Sequence, residues 1–372
     1  MTGDPGLVTG DPGLVTGDPG LVTGDPGLVT GDPGLVTGDP GLVTGDPGLV
    51  TGDADLVAGN SGPVRVAVIG CGAIGSLYAA HLARVPGVEV WAVDPWAEHV
   101  AAMESRGLRV TGLADFVAPV HARTDGRDLP ACEFGLVATK ARQTRAAMEG
   151  ARAALAGASV VSVQNGLGNE EVIAEFVPRV IRGSIITAGA VVAPGVVRYD
   201  AQGDSWFGPF EPRPAPARAV EQLARLLGAG GLRTLALQDA RGPQWTKVIF
   251  NSATSPLAAL TGLSVGRVCT DAGLRQQVDE LVAEALAVCE RAGIVLARPP
   301  GDAVEEAIAE AYDHKPSMLQ DVLARRATEI DVLNGGIAAE GRRAGVPTPR
   351  HDCMVALVKG LEKSWSEQPR RA

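Results

Sequence analysis

The sequence predicts an α/β protein: an N-terminal, doubly wound Rossmann domain, then an all-helical C-terminal domain, with a disordered repeat tail in front. Three observations carry this reading. From Val64, apolar runs of strand length alternate with helical periodicity, the pattern of a parallel sheet covered by helices. Past about Asp239 the strand-like runs disappear and long helical patterns take over. Before Val64 the chain repeats a heptad with too few apolar residues to build a core.

Residues 2–50 are seven copies of T-G-D-P-G-L-V; T-G-D-A-D-L-V follows at 51–57 and a decayed A-G-N-S-G-P-V at 58–64. Each full copy holds one Pro, two Gly and one Asp, which favour turns and interrupt helices and strands. A proline in every heptad excludes a continuous coiled-coil helix. Leu and Val alone cannot offset the entropy of ordering the chain. Residues 1–63 therefore read as a disordered tail. Expansion of a repeated DNA segment, or a start site set too early, explains it more simply than a binding or solubilising arm. The Rossmann domain is assigned to 64–238 and the helical domain to 239–372.

The net charge is −10, but its position matters more than its size. No Lys or Arg precedes Arg65, whereas nine Asp residues do, which leaves 33 basic against 34 acidic residues in the rest. The acidity belongs to the tail, and no basic run points to a nucleic-acid partner. The five cysteines are scattered, without a C-x-x-C pair or a His/Cys cluster, which fits a reducing cytoplasm and no metal site. There is no basic-then-apolar leader and no apolar run long enough to span a membrane. Sequence leaves a homodimer open.

Within the first domain, V-R-V-A-V-I (64–69) reads as a strand and V-E-V-W-A-V (88–93) as the second. F-G-L-V-A-T (134–139) and A-S-V-V-S-V (158–163) are further strands, with a helix over about 141–155 between them. Later helices are expected at about 271–293, 302–312 and 317–344.

The chemistry begins at G-C-G-A-I-G (70–75), directly after the first strand and opening a helix. In such a turn Gly70 permits the tight bend, Gly72 lets the backbone approach a pyrophosphate, and Gly75 lets the helix pack on the strand. Cys71, Ala73 and Ile74 contribute backbone N–H groups beside the positive end of the helix. Asp94 ends the second strand, where a carboxylate accepts hydrogen bonds from ribose hydroxyls and repels the 2′-phosphate of NADP. The bland reading of Asp94 is a turn residue before Pro95.

Three later segments narrow the choice: V-S-V-Q-N-G-L-G-N-E (161–170), W-T-K-V-I-F-N-S-A-T-S-P-L-A-A-L (245–260) and K-P-S-M-L-Q-D-V-L-A-R-R-A-T-E-I-D-V-L-N-G (315–335). Together they resemble the ketopantoate reductase (2-dehydropantoate 2-reductase) family, over roughly 64–365 and in the right order. The resemblance implies a reductase that takes a small anionic 2-keto acid to the 2-hydroxy acid with NADPH. It implies Lys247 as the general acid, with Glu329 near it and near the cofactor. Asn165 would lie by the nicotinamide and the substrate, and Asn251, Ser255 and Ser317 by the substrate's polar groups. Lys140 and Ala190 would touch the cofactor.

The residues agree with that picture. On a helix, Lys247, Asn251 and Ser255 are each four apart and share a face. A lysine desolvated in a cleft has its pKa lowered towards neutrality, although an adjacent carboxylate pulls the other way. Blander readings stand beside each residue. Lys247 alone reads as a solvated lysine. Ser317 begins a capping-box pattern, Glu329 follows Arg325 and Arg326 at ion-pair spacing, and Asn165 precedes Gly166 as a turn would. Two departures from the family stand out: Ser255 replaces a common Asn, and no basic residue follows Asp94 in D-P-W-A-E. The first touches substrate identity, and the second tilts the cofactor from NADPH towards NADH.

Reduction of 2-dehydropantoate to pantoate for pantothenate synthesis is the leading expectation. An NAD-dependent enzyme of the same family acting on another 2-hydroxy or 2-keto acid, mandelate-like, comes second. A non-catalytic dinucleotide sensor needs the glycine loop but not Lys247, Asn251 and Glu329 together.

Overall fold

The computed structural model describes residues 62–367, so the repeats, and with them the expected disordered tail, lie outside the described residues. The first half runs β1 (Val64–Ile69), α1 (Ala73–Leu82), β2 (Val88–Val93), α2 (Ala97–Arg106), β3 (Leu108–Gly112), β4 (Phe116–Ala118), β5 (His121–Arg123) and β6 (Phe134–Val137). It continues through α3 (Thr144–Leu155), β7 (Ser159–Ser162), α4 (Asn169–Ala174), β8 (Val180–Ile185), β9 (Ala188–Ala193), β10 (Val196–Ala201), β11 (Ser205–Pro209), α5 (Ala217–Ala229) and β12 (Thr234–Ala236). Helices follow: α6 (Arg241–Thr261), α7 (Val265–Thr270), α8 (Ala272–Ala292), α9 (Pro300–Glu310), α10 (Ser317–Leu323), α11 (Asn334–Ala344) and α12 (Pro349–Ser364).

The main sheet has the order β12-β11-β8-β7-β6-β1-β2-β5. From β8 to β5 every pairing is parallel, and β11 joins β8 antiparallel. The apolar, β-branched runs of β1, β6 and β7 suit strands covered on both faces. One face packs Leu77, Tyr78 and Leu82 of α1 with Leu223 and Leu227 of α5, and the other packs Met148, Leu155 and Ile173 of α3 and α4. The strand order reverses between β1 and β6, so the crevice for a ligand opens at the carboxyl ends of these two strands.

Two features escaped the sequence reading. A second sheet, β4-β3-β10-β9, packs on α1, and β8 and β11 extend the main sheet. The strands of the second sheet carry exposed positions, and Arg, Gly and Ser interrupt β8 while Ser, Gly and Pro interrupt β11, so none shows the unbroken, buried apolar run of β6 or of residues 66–69 in β1. The helix expected over 317–344 is broken into α10 and α11. The intervening segment is fastened elsewhere: Thr328 donates from both N and Oγ1 to Glu362, at 2.8 and 2.7 Å, and Arg325 takes a positive φ of 50°. The other helices keep their places. Asp271 caps α8 through the N–H groups of Gly273 and Leu274, and α9 starts two residues earlier than expected because Pro300 serves as its first residue.

Candidate active site

Gly70 (φ 90°) leaves β1 in a conformation only glycine takes easily, and a Cβ there would sit 2.8 Å from Thr139. A Cβ on Gly75 would lie 1.9 Å from the Gly70 carbonyl, so close packing explains that glycine too. Gly72 is different: nothing stands within 4 Å of a Cβ placed on it. No neighbour among the described residues requires glycine there, which fits a residue that keeps the path clear for a ligand. Gly72 is also the N-cap of α1 and gives no side-chain cap, so the first-turn N–H groups are left for phosphate oxygens. The loop therefore fits a dinucleotide.

Asp94 takes the turn role, and it also engages the Cys71 N–H, one of the donors expected of the glycine loop. Oδ2 accepts from Cys71 N in the glycine loop at 2.9 Å, and Oδ1 accepts from Trp96 N at 2.9 Å as a turn residue would. Ser76 donates to the Cys71 carbonyl and contacts buried His99, which accepts from Gly195 N. Two cations at or just past strand ends of the same sheet are paired. Arg123 pairs with Glu104 at 3.2 Å and Lys140 with Asp321 at 3.0 Å.

Around Lys247 the two halves of the molecule meet. From α6 its Nζ donates to Asn165 Oδ1 at 2.9 Å and to the Ile185 carbonyl at 2.6 Å. Asn165 Nδ2 in turn donates to Glu329 Oε2 at 3.3 Å, and Lys140 Nζ donates to the same oxygen at 3.4 Å. Burial lowers the Lys247 pKa to about 8, against the opposing pull of the Glu329 carboxylate. Burial also works against the Lys140 ammonium, but Glu329 and Asp321 outweigh it and hold its pKa above the usual lysine value.

Two blander readings are corrected here. Glu329 is not a surface helix residue: it lies in the connection between α10 and α11, its side chain is 9% exposed, and it faces Lys140 and Asn165. Arg326 pairs instead with Asp321 at 3.0 Å. Ser317 does not cap α10, since the cap position is Pro316 and no side-chain cap bond forms. Asn165 does precede a turn, with Gly166 at φ 87° and a Cβ there only 2.5 Å from the Val332 carbonyl. The turn and the side-chain role coexist.

Asn251 and Ser255 ride one and two turns beyond Lys247 on α6, and α10, which begins with exposed Ser317, packs along the same helix. None of these three side chains has a protein hydrogen-bond partner among the described residues. Ala190 lies apart on β9, opposite Arg198 in the second sheet. Sequence reasoning missed Asp321, although it stands inside a quoted motif, and the Ile185 carbonyl, which no side-chain pattern can reveal. Among the described residues no His, Cys, Asp and Glu cluster suits a metal ion, and no helix is long and apolar enough to cross a membrane.

Comparison with known proteins agrees with this geometry. Residues 66–212 match the family model described as ketopantoate reductase PanE/ApbA, and residues 239–362 match its C-terminal model. The chain is 31% identical over 303 residues to the 2-dehydropantoate 2-reductase of Pyrococcus abyssi, covering 80% of this chain and 98% of that protein. A PanE/ApbA family ketopantoate reductase from Ralstonia eutropha superposes with a TM-score of 0.74 at 29% identity, over 82% of this chain and 100% of that one. A D-mandelate dehydrogenase in complex with NADH superposes with a TM-score of 0.71 at 25% identity, over 81% and 99%. The chain belongs to the ketopantoate reductase family, as an NAD(P)-dependent oxidoreductase of 2-keto acids.

Proposed function

We propose that this enzyme reduces 2-dehydropantoate to pantoate, with Lys247 as the proton donor and NADH preferred over NADPH. The observation that carries the mechanism is the Lys247 ammonium, held by Asn165 and the Ile185 carbonyl with its third hydrogen left for a substrate. When bound, the nicotinamide supplies the hydride. As negative charge builds on the keto oxygen, Lys247 gives up a proton, and its pKa of about 8 suits a donor that must be charged near neutrality and release readily. Asn165 orients Lys247 and passes the influence of Glu329 to it. Asn251, Ser255 and Ser317 provide donors for the substrate's carboxylate and hydroxyl groups. Gly70 to Gly75, with Asp94, hold the pyrophosphate and the ribose, and Lys140 and Ala190 are further cofactor contacts.

The lean towards NADH rests on charge. Asp94, the candidate ribose carboxylate, would repel a 2′-phosphate, no cation stands in the four residues after it, and Arg123 and Lys140 pair with Glu104 and Asp321. A second reading, an aryl 2-keto acid, is favoured by the likeness to D-mandelate dehydrogenase and by Ser255, which is smaller than the family's common Asn. The experiment is a panel of 2-keto acids, including 2-dehydropantoate and phenylglyoxylate, assayed with both dinucleotides. The proposal expects the highest kcat/KM for 2-dehydropantoate with NADH. A clear preference for phenylglyoxylate would transfer the assignment to the second reading.

A further inference from the structure

Pro256 lies inside α6, four residues after Ser252. Proline has no N–H, so the Ser252 carbonyl loses its helical partner, and Ser252 is fully buried, where an unpaired carbonyl is costly. The partner comes from another element. Asn334, first residue of α11 and itself fully buried, donates from Nδ2 to the Ser252 carbonyl at 2.9 Å. The same nitrogen lies 3.1 Å from Nδ1 of His351, whose Nε2 lies 3.0 Å from the Leu281 carbonyl. A carbonyl only accepts, so the His351 proton sits on Nε2, and Nδ1 accepts the second Asn334 hydrogen. Burial lowers the His351 pKa and keeps the ring neutral, as this arrangement needs. The Asn334 amide thus ties α6, near its proline, to α11 and α12, and His351 carries the connection on to α8.

Asn251 and Ser255 bracket this point, immediately before Ser252 and Pro256. Lys247 lies further back on the helix and is fixed separately, by Asn165 and the Ile185 carbonyl. We infer that Asn334 is a positioning residue, whose amide replaces the N–H that Pro256 lacks and holds Asn251 and Ser255 in register with the substrate. The inference rests on the proposed substrate role of those two residues.

The test is a double-mutant cycle on the full chain: wild type, Asn334→Ala, Pro256→Ala and the double variant, assayed with 2-dehydropantoate and NADH. Asn334→Ala should raise the keto-acid KM about tenfold or more, while kcat and the dinucleotide Kd stay within about threefold. In Pro256→Ala the new N–H closes the helical bond, so adding Asn334→Ala should change KM by less than about threefold. Equal KM effects in both backgrounds, or an unchanged KM in Asn334→Ala, would overturn the inference. If Asn334→Ala fails to fold, the double variant must still fold with the KM of Pro256→Ala, and its failure to do so counts against the inference as well. Absence of keto-acid turnover in wild type would instead contradict the proposed function, and this inference with it.

Discussion

At the scale of residues, Lys247, the proposed proton donor, shows desolvation and a carboxylate pulling one ammonium in opposite directions. Burial brings its pKa to about 8, so kcat/KM for keto-acid reduction should be level below pH 8 and fall roughly tenfold per pH unit above it. In the reverse direction the neutral lysine is the active form, and the rate should rise through the same range. A forward profile flat to pH 10 would deny Lys247 this role. Asp94 is the residue proposed to set the choice of dinucleotide. Wild type should favour NADH, and Asp94→Ala should relax that preference, as kcat/KM with each dinucleotide will report. A strong NADPH preference left unchanged by the substitution would mean that Asp94 does not face the ribose. Lys247, Asn165 and Asp94 were legible in the sequence because each stands at a fixed offset in a motif. Asp321 and the Ile185 carbonyl were not, since their importance arises only from what the fold places beside them.

At the scale of elements, a buried hydrogen bond links α4 to α6: Gln244 Nε2 donates to Glu170 Oε1 at 2.7 Å. Burial raises the Glu170 pKa to about 7, against the opposing pull of Arg182. The folded state then holds this proton more tightly than the unfolded chain, so the contribution is full below pH 4.5 and is lost as pH rises to 7. The loss is on the order of 3 kcal/mol. Glu170→Gln keeps an acceptor for Gln244 without a charge, so it should raise Tm at pH 8 and flatten the dependence of Tm on pH between 5 and 7. An unchanged pH dependence would show that Glu170 is not the responsible group. Elements with strong periodicity, such as β1, β2 and α8, were legible to within a residue. The break between α10 and α11 was hidden because Thr328 and Glu329 are drawn out of helix by distant partners, Glu362 and Lys140, that local pattern does not encode.

At the scale of the molecule, the candidate site draws on both halves: Asn165 and Lys140 from the sheet side, Lys247 and Glu329 from the helical side. We take the connection between Ala236 and Arg241 as the boundary between these halves, so that each needs the other to complete the site. The repeats lie outside the described residues. Deletion of residues 1–62 should leave Tm and turnover unchanged, and a loss of several degrees or of activity would show that they pack on the enzyme. The central claim is that the shared cluster around Lys247 donates the proton, and the measurement that meets it most directly is turnover of Lys247→Ala beside its dinucleotide affinity. Turnover of 2-dehydropantoate should fall by roughly 10²-fold or more while NADH binds as in wild type. Near-wild-type turnover in that variant would contradict the account.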